Sequence, residues 1–219
     1  MIYLDGGVPW GKVNSVQSKA LVQFCLRRSK YIVLPREHRE KIEESVVEKL
    51  KREAIEEVKQ RSERQIRYIK TLSPRQLKKD GFLSLNWGID NITTNAKQEI
   101  KELQQIRGSF KKEDTLMEDL AEWGLVKREY ATSSFTTYCS GTIWEFCYFD
   151  KEQVGLRELH KNIFAYPLYI GEYEFEDPAF ADGEGHVWMC ICSHEGTFSM
   201  ELTEEDYKEF EKMNIRHFK

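Results

Sequence analysis

The stretch REHREKIEESVVEKLKREAIEEVKQRSERQIRYIK, residues 36–70, holds neither Gly nor Pro. Ile42, Val46, Leu50, Ala54 and Val58 recur every four residues, Ile66 and Ile69 follow, and most positions between them are charged. Residues three and four apart share one side of an α-helix. The segment therefore reads as one long helix with a single apolar stripe, on the order of 50 Å long at 1.5 Å rise per residue. The stripe drifts from a strict heptad, so packing against the body of the protein is expected rather than a coiled coil. Leu50 lies mid-stripe, where a charge should be destabilising.

Upstream, Ile2-Tyr3-Leu4 reads as a strand stopped by the turn signal Asp5-Gly6-Gly7. Asn14 or Ser15 is placed to cap a helix running to about Arg28. Tyr31 to Leu34 reads as a second strand, and Pro35 as the first residue of the long helix. Downstream, Ser73-Pro74 opens a short helix. Phe82 to Trp87 is an apolar run ended by Gly88, Thr94 or Asn95 caps a helix to Arg107, and Asp114 to Trp123 forms a helix ended by Gly124. The composition then changes. Tyr130 to Phe149 is rich in Thr, Tyr, Phe, Trp and Cys, the chemistry of a hairpin turning near Ser140-Gly141. A short helix from Lys151 to His160, strands at Tyr166–Phe175, His186–Ser193 and Thr197–Leu202, and a last helix capped by Thr203 complete the pattern. The expected class is α+β: a mainly helical part over residues 1–130, then a mainly antiparallel β-sheet part over 131–219 ending in a helix. The change near residue 130 is one of composition, and two domains or one continuous domain both fit it.

At 219 residues, 40% hydrophobic and 12% aromatic, the chain can bury a sizeable core. The net charge of −4 hides an asymmetry: residues 1–130 carry 26 Lys and Arg against 20 Asp and Glu, and residues 131–219 carry 7 against 17. The basic front could meet nucleic acid and the acidic back a basic protein. No apolar run approaches the roughly 20 residues of a membrane span. The first residues lack the basic and apolar regions of a secretory signal. Five cysteines, an odd number, suit a reducing compartment better than a disulfide framework. A cytoplasmic location without membrane association is expected.

Strand periodicity places His186, Trp188, Cys190, Cys192 and His194 on one face. Neighbours on such a face sit about 7 Å apart, too far for one metal to gather all four Cys and His ligands. No disulfide and no stoichiometric metal are expected, with Cys190 and Cys192 the first ligands to suspect otherwise. Cys139 beside the turn at Ser140-Gly141, with His160 downstream, offers the elements of a cysteine nucleophile, but the acidic surroundings oppose a thiolate. No phosphate-binding glycine loop, nucleophile-elbow serine or HExxH zinc motif occurs.

Asp5 ends the first strand. Tyr31 to Leu34 leads into Glu37, Glu40, Glu43 and Glu44. Asp114-Thr115-Leu116-Met117-Glu118-Asp119-Leu120-Ala121 follows, then Gly124 and Ala131-Thr132-Ser133. This order resembles PIN-type metal-dependent nucleases. The resemblance implies Asp5, Glu40 and Asp114 gathered around Mg²⁺ or Mn²⁺ to cleave RNA or DNA. Asp5 is followed by Gly6-Gly7 where that family usually has a hydroxyl residue and Asn, and the likeness ends by about residue 135. Leu116 to Trp123 with Gly124-Leu125-Val126-Lys127-Arg128 is also similar in outline to the recognition helix and wing of winged-helix regulators, although that helix would be acidic and repelled by phosphates.

The favoured expectation is a non-enzymatic binding or regulatory protein, of the inhibitor, immunity or phage-encoded kind, that needs no cofactor. Its surface would be the cluster Tyr169, Glu172, Tyr173, Glu174, Glu176 and Asp177, directed at a basic protein partner. Glu172, Glu174 and Glu176 alternate and so share a strand face, and no Lys or Arg occurs from Asn162 through Met200.

Overall fold

A computed structural model describes residues 1–7, 16–108, 112–135, 142–153 and 166–218. The strands are β1 (Ile2–Gly7), β2 (Tyr31–Glu37), β3 (Leu125–Ala131), β4 (Trp144–Asp150), β5 (Leu168–Ile170), β6 (Tyr173–Phe175), β7 (Ala179–Ala181), β8 (Val187–Cys192), β9 (Thr197–Leu202) and β10 (His217–Phe218). The helices are α1 (Val16–Arg28), α2 (Glu44–Lys70), α3 (Pro74–Lys79), α4 (Leu85–Gln105), α5 (Leu116–Asp119) and α6 (Glu204–Glu211), with a 3₁₀ turn at Ala121–Trp123. The fold is α+β. Eight strands form one antiparallel sheet in the order β10-β1-β9-β8-β7-β2-β4-β3, and β5 and β6 pair as a separate hairpin. Strands β1 and β2, from the first 130 residues, are hydrogen-bonded to β9, β10, β4 and β7 from the rest. The sheet is therefore continuous across the change of composition.

One side of the sheet carries the main core. Leu21, Phe24 and Cys25 of α1, Leu116 of α5, Tyr207 and Phe210 of α6, and Leu168, Ile170 and Phe175 of the hairpin bury against Ile32, Leu34, Phe149 and Ile191. The other side gathers Val33, Trp144, Phe146 and Tyr148. A β-bulge sets Phe180 opposite Met189 and Ala181 opposite Val187, skipping Trp188. Trp188 thereby joins the main core, where its indole N–H donates to Ser29 Oγ at 3.0 Å.

The long helix is present but shorter than residues 36–70. Pro35 lies in β2 opposite Phe146 instead of opening a helix. Strand β7 covers only Tyr31–Val33, so at Pro35 that side of β2 is an edge, where a missing N–H is tolerated. Residues 38–43 bond elsewhere: His38 N–H donates to Ile143 O and Lys41 N–H to Lys112 O, both at 2.8 Å. Helix α2 then runs 27 residues, about 40 Å. Its buried positions are Val47, Lys51, Val58 and Ile69, with Leu50, Ala54 and Ile55 half-buried. The contact line winds around the helix with the 3.6-residue period, so a fixed step of four drifts off it.

Helix α4 packs along α2 after α3 turns the chain back. Val47, Val58, Leu103 and Ile106 join Ile143 at the base of this hairpin, and Ile69, Leu77 and Ile92 fill its tip. Helix α4 starts at Leu85, capped by the Ser84 hydroxyl, and passes through Gly88 and Thr94 without a break. Gly88 is a packing residue there, because a Cβ would stand 2.9 Å from the Phe82 ring. The segment read as a helix from Asp114 to Trp123 is one turn plus the 3₁₀ turn, which removes the recognition helix of the winged-helix outline. Strand β1 runs on through Gly6 and Gly7, and β7 joins as a strand not foreseen. The cap at Asn14 or Ser15, the turn at Ser140-Gly141 and most of the helix at 151–160 lie outside the described residues.

Gly124 closes the 3₁₀ turn at φ 87°, in the left-handed region. Gly124→Ala should therefore lower the unfolding free energy by about 1–2 kcal/mol. Urea melts should show a lower midpoint with an unchanged slope. An unaltered midpoint would mean that the turn relaxes without cost.

Candidate functional site

Where β2 runs beyond its pairing with β7, it carries a buried file of charges. Register sets Arg36 opposite Glu145, and Glu145 opposite Tyr130 of β3. Glu145 is fully buried. Its Oε1 accepts from Arg128 Nη1 at 2.7 Å, and its Oε2 lies 3.4 Å from Arg36 Nη1. Arg128 also grips Asp114 through both Nη atoms, at 2.9 and 2.7 Å. Arg36 Nη2 donates to both oxygens of Glu40, at 2.8 and 3.0 Å. The result is an alternating chain, Asp114–Arg128–Glu145–Arg36–Glu40. The His38 ring sits beside it, with Nδ1 3.5 Å from Glu145 and 3.7 Å from Glu40.

Burial alone would raise the Asp114 carboxyl, but hydrogen bonds and charge from Arg128 outweigh it and hold it below the usual range. Glu40 is lowered in the same way, burial being outweighed by Arg36. Carboxyls that titrate lower in the folded than in the unfolded state stabilise the fold above the unfolded value, near pH 4. That stabilisation is lost as the pH falls through the folded values. Urea midpoints measured from pH 6 down to pH 2 should thus fall steeply for the wild type. Asp114→Asn should make the acid limb shallower, and an identical limb would show that Asp114 is not part of it.

A polar cavity of about 260 Å³ opens next to this chain. It is walled by Arg36, Glu37, Arg39, Glu40 and Lys112 on one side and by Glu172, Tyr173, Glu174 and Glu176 of the hairpin on the other. The Glu176 N–H donates to Pro35 O at 2.8 Å and ties the hairpin to β2. Inward-facing Phe175 packs edge-on against Phe149, with ring centroids 5.9 Å apart. The Tyr173 hydroxyl donates to the Asp119 carboxylate, and its ring faces Arg36 and Lys112.

The expected binding residues divide accordingly. Tyr169, 59% exposed, sits across from Glu174 in the pair, and Glu172 and Glu174 are exposed. Glu176 is half-buried, and burial, then Asp177 and Glu174, push its carboxyl up. Tyr173 anchors the hairpin. Asp177 does not belong to the surface: it is 1% exposed, its Oδ1 accepting from Ser193 N at 2.7 Å. It is in phase with buried Phe175 two residues before it, and its backbone takes a positive φ of 38°.

The three carboxylates of the nuclease resemblance do not converge. Glu40 and Asp114 end the same buried chain, each held by an arginine. Asp5 lies on β1 and accepts from Ser199 Oγ at 2.5 Å, four strands from β2 and about 19 Å away at 4.8 Å per strand. The sequence order was there, but the first strand enters the far part of the sheet.

His186, Cys190, Cys192 and His194 also separate. His186 pairs with Glu201 at 3.3 Å, and Cys190 packs on the side of Trp144 and Phe146. Only Cys192 and His194 meet, with Sγ 3.6 Å from Nδ1. Burial, with Asp177 and Glu195, raises the Cys192 thiol, which opposes a nucleophilic role. Cys139 and His160 lie outside the described residues. On α2, Lys49, Lys51, Lys59 and Arg67 each pair with a glutamate three or four residues away, which offsets part of the basic character of the front.

Sequence reasoning passed over Arg36, His38, Arg128 and Glu145. One signal was available: Glu145 stands alone among Trp144, Phe146, Cys147 and Tyr148, and a lone charge in an apolar strand needs a partner. No protein family, no curated protein and no solved structure matches this chain.

Proposed function

We propose that this chain is a non-enzymatic binding protein whose β5–β6 hairpin takes a cationic segment of another protein, in the manner of an inhibitor or immunity protein. One observation carries the proposal. Glu172, Glu174 and Glu176 follow one side of the hairpin around the exposed Tyr169, and among the described residues no Lys or Arg lies within 4 Å of their carboxylates. The adjoining cavity adds Glu37 and Glu40, making five carboxylates against three cations, Arg36, Arg39 and Lys112. Arg36 and Arg39 are already paired with Glu40 and Glu37. The wall thus has negative charge to spare for a ligand. An exposed aromatic beside charge of one sign combines an anchor with electrostatic steering. The buried chain behind it gives the wall a fixed seat.

The test uses fluorescent oligolysine and oligoglutamate peptides read by anisotropy. Oligolysine should bind and oligoglutamate should not. Combined Glu172→Gln, Glu174→Gln and Glu176→Gln should weaken binding by about 10-fold or more at low salt. The same charge change at the exposed Glu204, Glu205 and Glu211 of α6 serves as the control and should have little effect. Equal losses in the two triple variants would mean that only net charge is sensed, and the hairpin assignment would fail.

A further inference from the structure

The α2–α4 hairpin changes character along its length. On its shaft, cations pair with acids: Lys49 with Glu53, Lys51 with Glu48, Lys59 with Glu56 and Arg61 with Glu99. From Arg64 to Gly88 no Glu occurs, and Asp80 is the only acid against Arg64, Arg67, Lys70, Arg75, Lys78 and Lys79. All six cations are exposed. Among the described residues, only Arg67 has a carboxylate within 4 Å, that of Glu63 at 3.7 Å. A tip that needed only to be soluble could mix in glutamates, as the shaft does.

Three large apolar side chains are exposed at the same tip, Tyr68 at 57%, Leu83 at 81% and Trp87 at 41%. The two aromatics share a side. Ile69 and Gly88 face each other between the antiparallel α2 and α4, where a Cβ on Gly88 would stand 3.1 Å from Ile69 Cδ1. Tyr68 and Trp87 each lie one residue before that facing pair, and in antiparallel helices this step turns both side chains to one side. Arg64, one turn before Tyr68, joins them. Phe82 braces the Trp87 ring edge-on, with centroids 6.4 Å apart.

We propose that this tip binds single-stranded nucleic acid, with Arg64, Arg75, Lys78 and Lys79 on phosphates and Tyr68 and Trp87 stacking on bases. Binding of a single strand without regard to sequence combines these two features, cations along the backbone and aromatic faces for unstacked bases. A duplex hides the faces of its bases and leaves the aromatics idle. The chain as a whole has a net charge of −4, so a polyanion is drawn by this patch and not by the molecule at large. The patch and the β5–β6 hairpin lie on different elements, and neither reading rests on the other. Leu83 has no counterpart in a nucleic acid. An exposed leucine among cations also suits an anionic membrane surface, and the experiment separates the two.

A fluorescent oligodeoxythymidine of about 16 nucleotides, read by anisotropy, reports binding to the full chain. It should bind at low salt, and a duplex of equal length should compete less well than the unlabelled single strand. Combined Arg75→Gln, Lys78→Gln and Lys79→Gln should weaken binding by about 10-fold or more and make its salt dependence shallower. Lys49→Gln, Arg52→Gln and Lys59→Gln together make the same charge change on the shaft and should have little effect. Tyr68→Ala should weaken binding by about 5-fold or more with the salt dependence unchanged, a response that loss of charge does not give. The substituted side chains are all exposed, so circular dichroism spectra should match the wild type. Absence of binding at low salt would overturn the proposal, as would equal losses in the two charge variants, equal competition by the duplex, or undiminished binding by Tyr68→Ala. Sedimentation with phosphatidylserine vesicles that is lost in Leu83→Ser, without binding of the oligonucleotide, would assign the tip to a membrane surface instead.

Discussion

Arg128→Met should lower the unfolding free energy by about 3–5 kcal/mol, the cost of removing one member of a buried ion pair. Glu145 is fully buried and takes hydrogen-bonded charge from Arg128 at 2.7 Å, while Arg36 reaches it only at 3.4 Å. Loss of Arg128 also strips Asp114 of both its guanidinium bonds. Methionine keeps much of the stem volume, so the loss is electrostatic more than a matter of packing. Glu145→Gln made in the Arg128→Met background should cost much less than in the wild type, because the carboxylate it removes is by then a liability. Urea unfolding at pH 7 of the four proteins measures the coupling. Additive effects, or a loss under about 1 kcal/mol for Arg128→Met, would show that the charged chain does not hold β2, β3 and β4 at this end.

Phe175→Ala should cost about 3–5 kcal/mol and should act locally as well. Phe175 is fully buried and packs edge-on against Phe149 of β4. A two-stranded hairpin is marginal on its own, and β5–β6 forms no ladder with the main sheet. Leu168, Ile170 and Phe175 seat it on the core instead. Amide exchange over Leu168–Phe175 should therefore quicken in Phe175→Ala beyond the global loss of stability. Tyr169→Ala, on the exposed side, should leave stability within about 0.5 kcal/mol of the wild type. Equal exchange across hairpin and sheet in Phe175→Ala would mean that the hairpin unfolds only with the whole protein.

The features legible in the sequence are those written within one element. Helix α2 showed in its charge and periodicity, α3 in Ser73-Pro74, α6 in Thr203, and β8 and β9 in their composition. The boundary at Pro35 was misread because proline suits both a first helical turn and an edge strand, and only the short reach of β7 decides between them. Gly88 read as a stop because its close approach to Phe82 and Ile69 is a tertiary fact. Glu172 and Glu174 are exposed, but Tyr169 faces Glu174 from the other strand of a hairpin, where one continuous strand over Tyr166–Phe175 was expected. Asp177 is out of phase with these glutamates and falls on the inward side with Phe175. The charged chain could not be assembled from sequence, because Glu40, Asp114, Arg128 and Glu145 are brought to Arg36 by the register of three strands and the loop before α5. The same holds for Asp177 beside Cys192 and His194, since Asp177 comes from the segment between β6 and β7.

Backbone amide shifts followed by NMR during titration with oligolysine test the central claim most directly, because they locate the contact without assuming it. The largest changes should fall at Leu168–Glu176, with smaller ones at Arg36, Arg39 and Lys112 across the cavity, and they should fade at high salt as screening shortens the reach of the carboxylates. Changes centred on α6 or on the α2–α4 hairpin, with Leu168–Glu176 unmoved, would contradict it.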